Sequence, residues 1–291
     1  MVPLVIAHRG ASGYRPENTL EAFELGLAQG ADGIEFDLVN TLDGVLVIRH
    51  ENALSETTDV LLHHEFAGMK RQGVIEDKTI SDWFTEDFTL AQLKTLRAIE
   101  RVPDYRPGSA LFDNQFEIPT FSELLEDTLI DSKMLVVEIK RGSHLKVLKE
   151  SIGKLTADAI ANSTARKRNV SFVLESFDFG ILLDARSNLE ARSIPSEYFL
   201  ALEETPLEII DLAALASKVN GLSISMSMLF SGDDWVTACH DAGLKIWAYT
   251  ARAEQAETSI EAYYERIIQT GVDGIFADQP DLLRRVLEDR G

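Results

Sequence analysis

The stretch Gly33-Ile34-Glu35-Phe36-Asp37-Leu38-Val39-Asn40-Thr41-Leu42-Asp43-Gly44-Val45-Leu46-Val47-Ile48-Arg49-His50 decides the fold. Two apolar, β-branched runs, 33–39 and 45–50, flank Asp43-Gly44, a dipeptide that tolerates positive φ and marks two-residue hairpins. With those two residues as the turn, Asp37 is expected to face His50. The chain offers nine strand candidates: 4–8, 33–39, 45–50, 134–140, 170–176, 198–202, 221–225, 245–250 and 274–277. If 45–50 is only the return arm of a hairpin, eight remain. Helical patterns separate most of them, at 18–29, 120–129, 211–219, 233–242, 254–269 and 281–288. Strands joined by helix-sized crossovers pair in parallel with right-handed connections.

The expected fold class is therefore α/β, a TIM-type (β/α)8 barrel forming one domain over 1–291. The 291 residues suit it, since such barrels take about 250 residues as one unit. Residues 51–117 are poor in periodic strands and rich in charge, Gly and Pro. They read as an insertion after the second barrel strand that caps the active-site end, with one helix at 90–98 and little other regular structure.

Composition narrows the chemistry. With 28 basic and 48 acidic residues, the formal charge is −20. An acidic surface repels phosphate backbones and anionic headgroups, so neither nucleic acid nor a membrane surface is an expected partner. Any handling of phosphate must then come from a few placed cations. Cys239 is the only cysteine, which excludes an internal disulfide and a thiolate cluster. The start, Met1-Val2-Pro3-Leu4-Val5-Ile6-Ala7-His8, lacks the basic and apolar regions of a signal peptide, and no run is long enough to span a bilayer. A cytoplasmic location is the expectation; a periplasmic or secreted one is the alternative if a leader has been removed.

Chemistry in such barrels sits where strands end. His8-Arg9-Gly10 ends the first strand. Glu35 and Asp37 are two apart on the second, so their side chains share a face, and Glu138 and Lys140 repeat that spacing in Val136-Val137-Glu138-Ile139-Lys140. Carboxylates turned into a barrel are costly unless paired or bound to metal. Three of them, without a soft ligand, suit one hard divalent cation, Mg²⁺ or Ca²⁺. Arg9 offers a planar fork to phosphate oxygens, and Lys140 a point charge. His8 and His50 are the groups able to trade protons near neutral pH. Plainer readings stand beside these: a histidine satisfied at a strand end, a solvent-facing pair Glu35/Asp37, an ion pair Glu138/Lys140. Trp247 reads as a core aromatic whose place on the seventh barrel strand also allows a substrate-binding wall. His63, His64, His144 and His240 fall in loops or helices and receive no role.

The run His8-Arg9-Gly10-Ala11-Ser12-Gly13-Tyr14-Arg15-Pro16-Glu17-Asn18-Thr19 strongly resembles the opening signature of glycerophosphodiester phosphodiesterases. Glu35-Phe36-Asp37, Thr41-Leu42-Asp43-Gly44, His50, Glu138-Ile139-Lys140, the strand around Trp247 and the closing 271–280 also fit that family. The resemblance implies that Glu35, Asp37 and Glu138 bind the metal, that His8 and His50 form the acid–base pair, and that Arg9 and Lys140 hold the phosphate. It implies a small-molecule glycerophosphodiester as substrate. The neighbouring glycerol hydroxyl would attack phosphorus, and water would open the cyclic phosphate to sn-glycerol 3-phosphate and an alcohol. Glu51 and Glu56 depart from the family, which has Asp after the second His and Arg before its Thr-Thr pair. Three alternatives remain at this point, one of them a non-catalytic metal or phosphodiester binder that would lose little on mutation of His8. A phospholipase D-like or phosphoinositide-type phosphodiesterase would need an apolar or basic rim, and a metal-dependent lyase barrel would stabilise an enolate. The sequence leaves oligomeric state undetermined.

Overall fold

Eight of the apolar runs become strands of one parallel sheet that closes on itself. A computed structural model describes residues 2–75 and 78–290. Its strands are β1 Leu4–His8, β2 Gly33–Asn40, β3 Leu46–Ile48, β4 Arg71–Ile75, β5 Lys78–Asp82, β6 Met134–Ile139, β7 Ser171–Ser176, β8 Ser196–Leu202, β9 Gly221–Ser225, β10 Lys245–Ala251 and β11 Gly274–Ala277. Round the barrel the order is β1-β11-β10-β9-β8-β7-β6-β2, and β1 pairs with β2 to close it. The fold is a TIM-type barrel. β3 lies outside the ring, antiparallel to β2.

The β2–β3 register differs from expectation by one residue. Leu38 opposes Ile48, Val39 opposes Val47 and Asn40 opposes Leu46. The Thr41 amide donates to the Val45 carbonyl, so the loop holds the three residues Leu42, Asp43 and Gly44, with Gly44 at φ 79°. That is the hairpin in which a glycine takes the left-handed position at the end of a three-residue turn. Arg49, not His50, therefore stands opposite Asp37, and its amide donates to the Asp37 carbonyl.

Inside the barrel, side chains alternate along each strand. Ile6, Val136, Val173, Phe199, Trp247 and Phe276 form one buried apolar cluster. Two residues further along their strands, on the same face, come His8, Glu138, Glu175, Tyr249 and Asp278. The apolar set is a floor; the charged set faces the C-terminal mouth. Outside, the main core packs helices against the strands, with Phe23 of Leu20–Ala28 and Phe121 of Phe121–Glu126 both touching Phe36. Thr19 and Thr120 cap these two helices, and Glu123 completes a capping box at the second. Two helices are absent from the sequence expectations: Phe179–Ala191 packs on β7 and β8, and Ile152–Asn162 packs beside it.

Residues 51–117 carry their own small core. Leu54, Val60, Phe66, Trp83, Phe88, Leu93 and Leu96 pack with Val39 of β2 and Val47 of β3. The segment holds the β4–β5 hairpin and several short helices. The helix expected at 90–98 spans only Leu90–Leu93. Beyond it the Arg97 amide is taken by the Asp59 carboxylate and the Ala98 amide by the Phe116 carbonyl, so the chain leaves the helical ladder. No helix among the described residues is long and apolar enough to cross a membrane.

Candidate active site

At the end of β1 the backbone turns sharply, with Arg9 at φ 54° and Gly10 at φ 82°. A Cβ on Gly10 would lie 2.5 Å from the Ala22 backbone, so only glycine lets this turn press against the helix. The turn leaves His8 and the Arg9 amide pointing into the mouth. That amide donates to Glu35 Oε2 at 2.9 Å.

Glu35, Asp37 and Glu138 meet there, each offering an oxygen within 4.8 Å of the others. All are buried. Asp37 Oδ2 accepts from Asn18 Nδ2 at 2.8 Å and lies 3.5 Å from Arg9 Nε. Lys140 Nζ sits 2.9 Å from Asp37 Oδ1 and 2.5 Å from Glu138 Oε1. Neither of those two oxygens has a well-aligned hydrogen bond. Burial, then repulsion from Asp37 and Glu138, pushes the Glu35 carboxyl well above its usual range. Burial likewise lifts Glu138 to about 7 in spite of Lys140. Asp37 goes the other way: against its burial, Lys140, His50 and Arg9 hold it as a carboxylate. Three buried acids, two of which resist ionising even with Lys140 and Arg9 beside them, form an oxygen donor set still short of positive charge. The residues fit a hard divalent cation.

Each histidine is braced by a carboxylate. His8 Nδ1 lies 2.6 Å from Asp278 Oδ1, and His50 Nδ1 lies 2.6 Å from Glu51 Oε1. A carboxylate at Nδ1 keeps the proton on that nitrogen and leaves the Nε2 lone pair available. Burial and the nearby Arg9 lower both imidazoles to about 4, so both are neutral at pH 7. Against its own burial, Asp278 is held far below the usual carboxylate range by His8, Arg106 and Arg252.

The structure thus brings together His8, His50, Glu35, Asp37, Glu138, Arg9 and Lys140. It sets Trp247 apart. That ring is 1% exposed, stacked on Phe199 at 3.9 Å between centroids, and lies in the floor. The substrate-wall reading gives way to the core one, and the β10 side chain nearer the mouth is Tyr249. A cleft above is lined by His8, Arg9, Glu17, Arg101, Arg106 and Asp278, among others.

Several site residues had no role in the sequence reading. Glu175 and Asp278 stand two residues beyond the floor residues Val173 and Phe276, as Glu138 stands two beyond Val136. A charged residue at, or one step past, the end of an apolar strand run is the signal that would have found both. Glu175 is a further buried carboxyl, side by side with Glu138, and burial followed by Glu138 raises it to about 8. Arg101 and Arg106 carry no local signal, since their partners lie 45 to 172 residues away.

Comparison with known proteins agrees. The pattern of the glycerophosphoryl diester phosphodiesterase family matches residues 8–282. A glycerophosphodiester phosphodiesterase of Caldanaerobacter subterraneus subsp. tengcongensis is 29% identical over 291 residues, the whole of both chains. One of Arabidopsis thaliana is 41% identical over 127 residues, 44% of this chain, which spans only 33% of that longer protein. Among solved structures, an Oleispira antarctica phosphodiesterase in complex with the product sn-glycerol 3-phosphate has a TM-score of 0.69 at 24% identity, covering 99% of this chain and 97% of that one.

Proposed function

The chain belongs to the glycerophosphoryl diester phosphodiesterase family, and on that premise we propose that it hydrolyses glycerophosphodiesters to sn-glycerol 3-phosphate and an alcohol. The observation that carries this reading is the pair of carboxylate-braced histidines beside a buried trio of acids and two cations.

Glu35, Asp37 and Glu138 would hold the divalent cation, Mg²⁺ or Ca²⁺, which when bound polarises phosphoryl oxygens and offsets the carboxylate charge. The charges then balance: three carboxylates, one dication, Arg9 and Lys140 sum to +1, against −1 on the diester. Arg9 and Lys140 take the non-bridging oxygens. One histidine accepts, at Nε2, the proton of the glycerol hydroxyl next to the phosphate as its oxygen bonds phosphorus. The other, which must enter the step as the imidazolium with a proton on Nε2, donates that proton to the departing alcohol oxygen and is left neutral. With the roles reversed, a water proton is removed, hydroxide adds to the cyclic phosphate, and the ring P–O bond breaks to give the monoester. The −1 charge of the bound diester favours protonation of one of the two imidazoles, so the pair carries one proton back and forth over the two steps.

Residues 51–117, by this reading, cap the mouth and contact the leaving alcohol. The cleft walls support it, since Arg101, Val102, Tyr105 and Arg106 come from that segment. The deciding assay measures glycerol 3-phosphate released from a panel of glycerophosphodiesters, with EDTA and then metal added back. Release abolished by EDTA and restored by Mg²⁺ or Ca²⁺ is expected. Full activity in excess EDTA, or no release from any member of the panel, overturns the assignment.

A further inference from the structure

The geometry points to Arg101 and Arg106 as positioning residues, two guanidinium clamps on one strap of the capping segment that hold both histidine–carboxylate pairs in working orientation. This rests on the acid–base reading of His8 and His50 given above.

Arg101 grips two carboxylates at once. Its Nε and Nη2 donate to Glu17 at 2.9 and 2.8 Å, and its Nη1 and Nη2 to Glu51 at 2.8 and 2.7 Å. A weaker contact reaches Glu56 at 3.3 Å. Glu51 is the carboxylate on His50 Nδ1. Five residues later, Arg106 Nη2 donates to Asp278, the carboxylate on His8 Nδ1, while Nε and Nη2 donate to Glu254 at 2.9 and 2.5 Å and Nη1 to the Ser12 carbonyl at 3.2 Å. Two relays, Arg101–Glu51–His50 and Arg106–Asp278–His8, therefore start from one short strap. The guanidinium fork is rigid and planar, so it fixes which carboxylate oxygen faces the imidazole and at what angle. A carboxylate released from the fork can rotate or take a proton, and then no longer selects the Nδ1–H form of its histidine.

A staple that merely fastens the segment to the barrel would use the same contacts, but the two relays differ in a way a staple does not predict. Asp278 has a second arginine, with Arg252 Nε at 3.0 Å. Glu51 makes no ion pair with a second Lys or Arg among the described residues. Removing Arg101 should therefore cost more chemistry than removing Arg106, and the Arg106 loss should become large only when Arg252 is also gone.

The test uses the full-length protein with its metal. Arg101→Gln is expected to lower kcat about tenfold to a hundredfold, the usual cost of losing an outer hydrogen-bond partner, with KM within about threefold. NMR of ¹⁵N-histidine protein should show the His50 Nδ1–H signal, identified by its absence in His50→Gln, shifted or lost while that of His8 stays. Arg101→Lys keeps the charge without the fork and should fall between wild type and Arg101→Gln; this variant stands in if Arg101→Gln does not fold. Arg106→Gln should cost less than Arg101→Gln, and Arg106→Gln/Arg252→Gln should move the His8 signal. Unchanged kcat and unchanged histidine signals in a folded Arg101 variant overturn the proposal, as does a rise in KM alone, which would make Arg101 a substrate holder. The underlying reading fails separately: it is lost if His8→Ala and His50→Ala both keep their activity.

Discussion

Asp37 is the residue on which the site's charges converge. It accepts from Asn18 and pairs with Lys140, and it also feels Arg9 and His50. Its neighbours on the trio are pushed toward the protonated form, so a cation entering the site must displace protons as well as attract carboxylates. His8 and His50 stand outside the trio, and their removal should leave metal and substrate bound while stopping proton transfer. We expect His8→Ala and His50→Ala each to lower kcat by about 10²–10⁴-fold, the usual share of a general acid or base. Steady-state kinetics on folded variants checks this, and losses below about tenfold in both would sink the pair. The seven polar candidates were legible because carboxylates and histidines at strand ends break an apolar pattern. The arginines that brace them were not, because an arginine in a charged loop looks the same whether or not it meets a partner far along the chain.

At the scale of elements, the β2–β3 hairpin sets how the capping segment begins. Asp43-Gly44 announced a turn correctly but not its length. A dipeptide signal does not reveal that Thr41 and Val45 still pair, with Gly44 carrying the left-handed turn alone. The one-residue shift turns Arg49 toward the loop, where its Nη2 donates to the Ala53 carbonyl and Thr57 hydroxyl at 2.8 Å. From there the segment folds over its own core and returns to the cleft with Val102 and Tyr105. Replacing 102–105 with a Gly-Ser linker, leaving Arg101 and Arg106 in place, should alter the relative kcat/KM for glycerophosphocholine, glycerophosphoethanolamine and glycerophosphoglycerol. Unchanged ratios in an active variant would mean these residues do not contact the alcohol. The short helix at 90–93 marks a limit of periodicity: Leu90, Leu93 and Leu96 kept helical spacing, but the Thr95 and Leu96 amides turn back only three residues, and Asp59 and Phe116, remote in sequence, take those of Arg97 and Ala98.

Across the whole molecule, a buried imidazole that the proposed mechanism does not use also couples stability to acidity. His144 is 1% exposed, and burial lowers it to about 4 against the opposing pull of Glu86 and the Lys140 backbone. In the unfolded chain an imidazole takes up a proton near pH 6.5. Between those values the unfolded state binds more protons, so this group's effect is absent above about pH 6.5 and destabilises progressively as pH falls toward 4. A shift of that size is worth about 3 kcal/mol at most. Chemical denaturation of wild type and His144→Gln from pH 4 to 7 should show a shallower loss of stability in the variant; equal slopes would mean His144 titrates alike in both states. The closed barrel was readable from strand count and crossover lengths, because those are properties of the chain alone. Its closure also has a temporal side. β1 pairs with β11, and the His8–Asp278 contact bridges 270 residues of sequence, from one end of the chain almost to the other. Protein synthesis runs from the first of these residues to the last. Whatever part of the barrel collapses on the ribosome, His8 waits for its carboxylate until the final strand has left the exit tunnel.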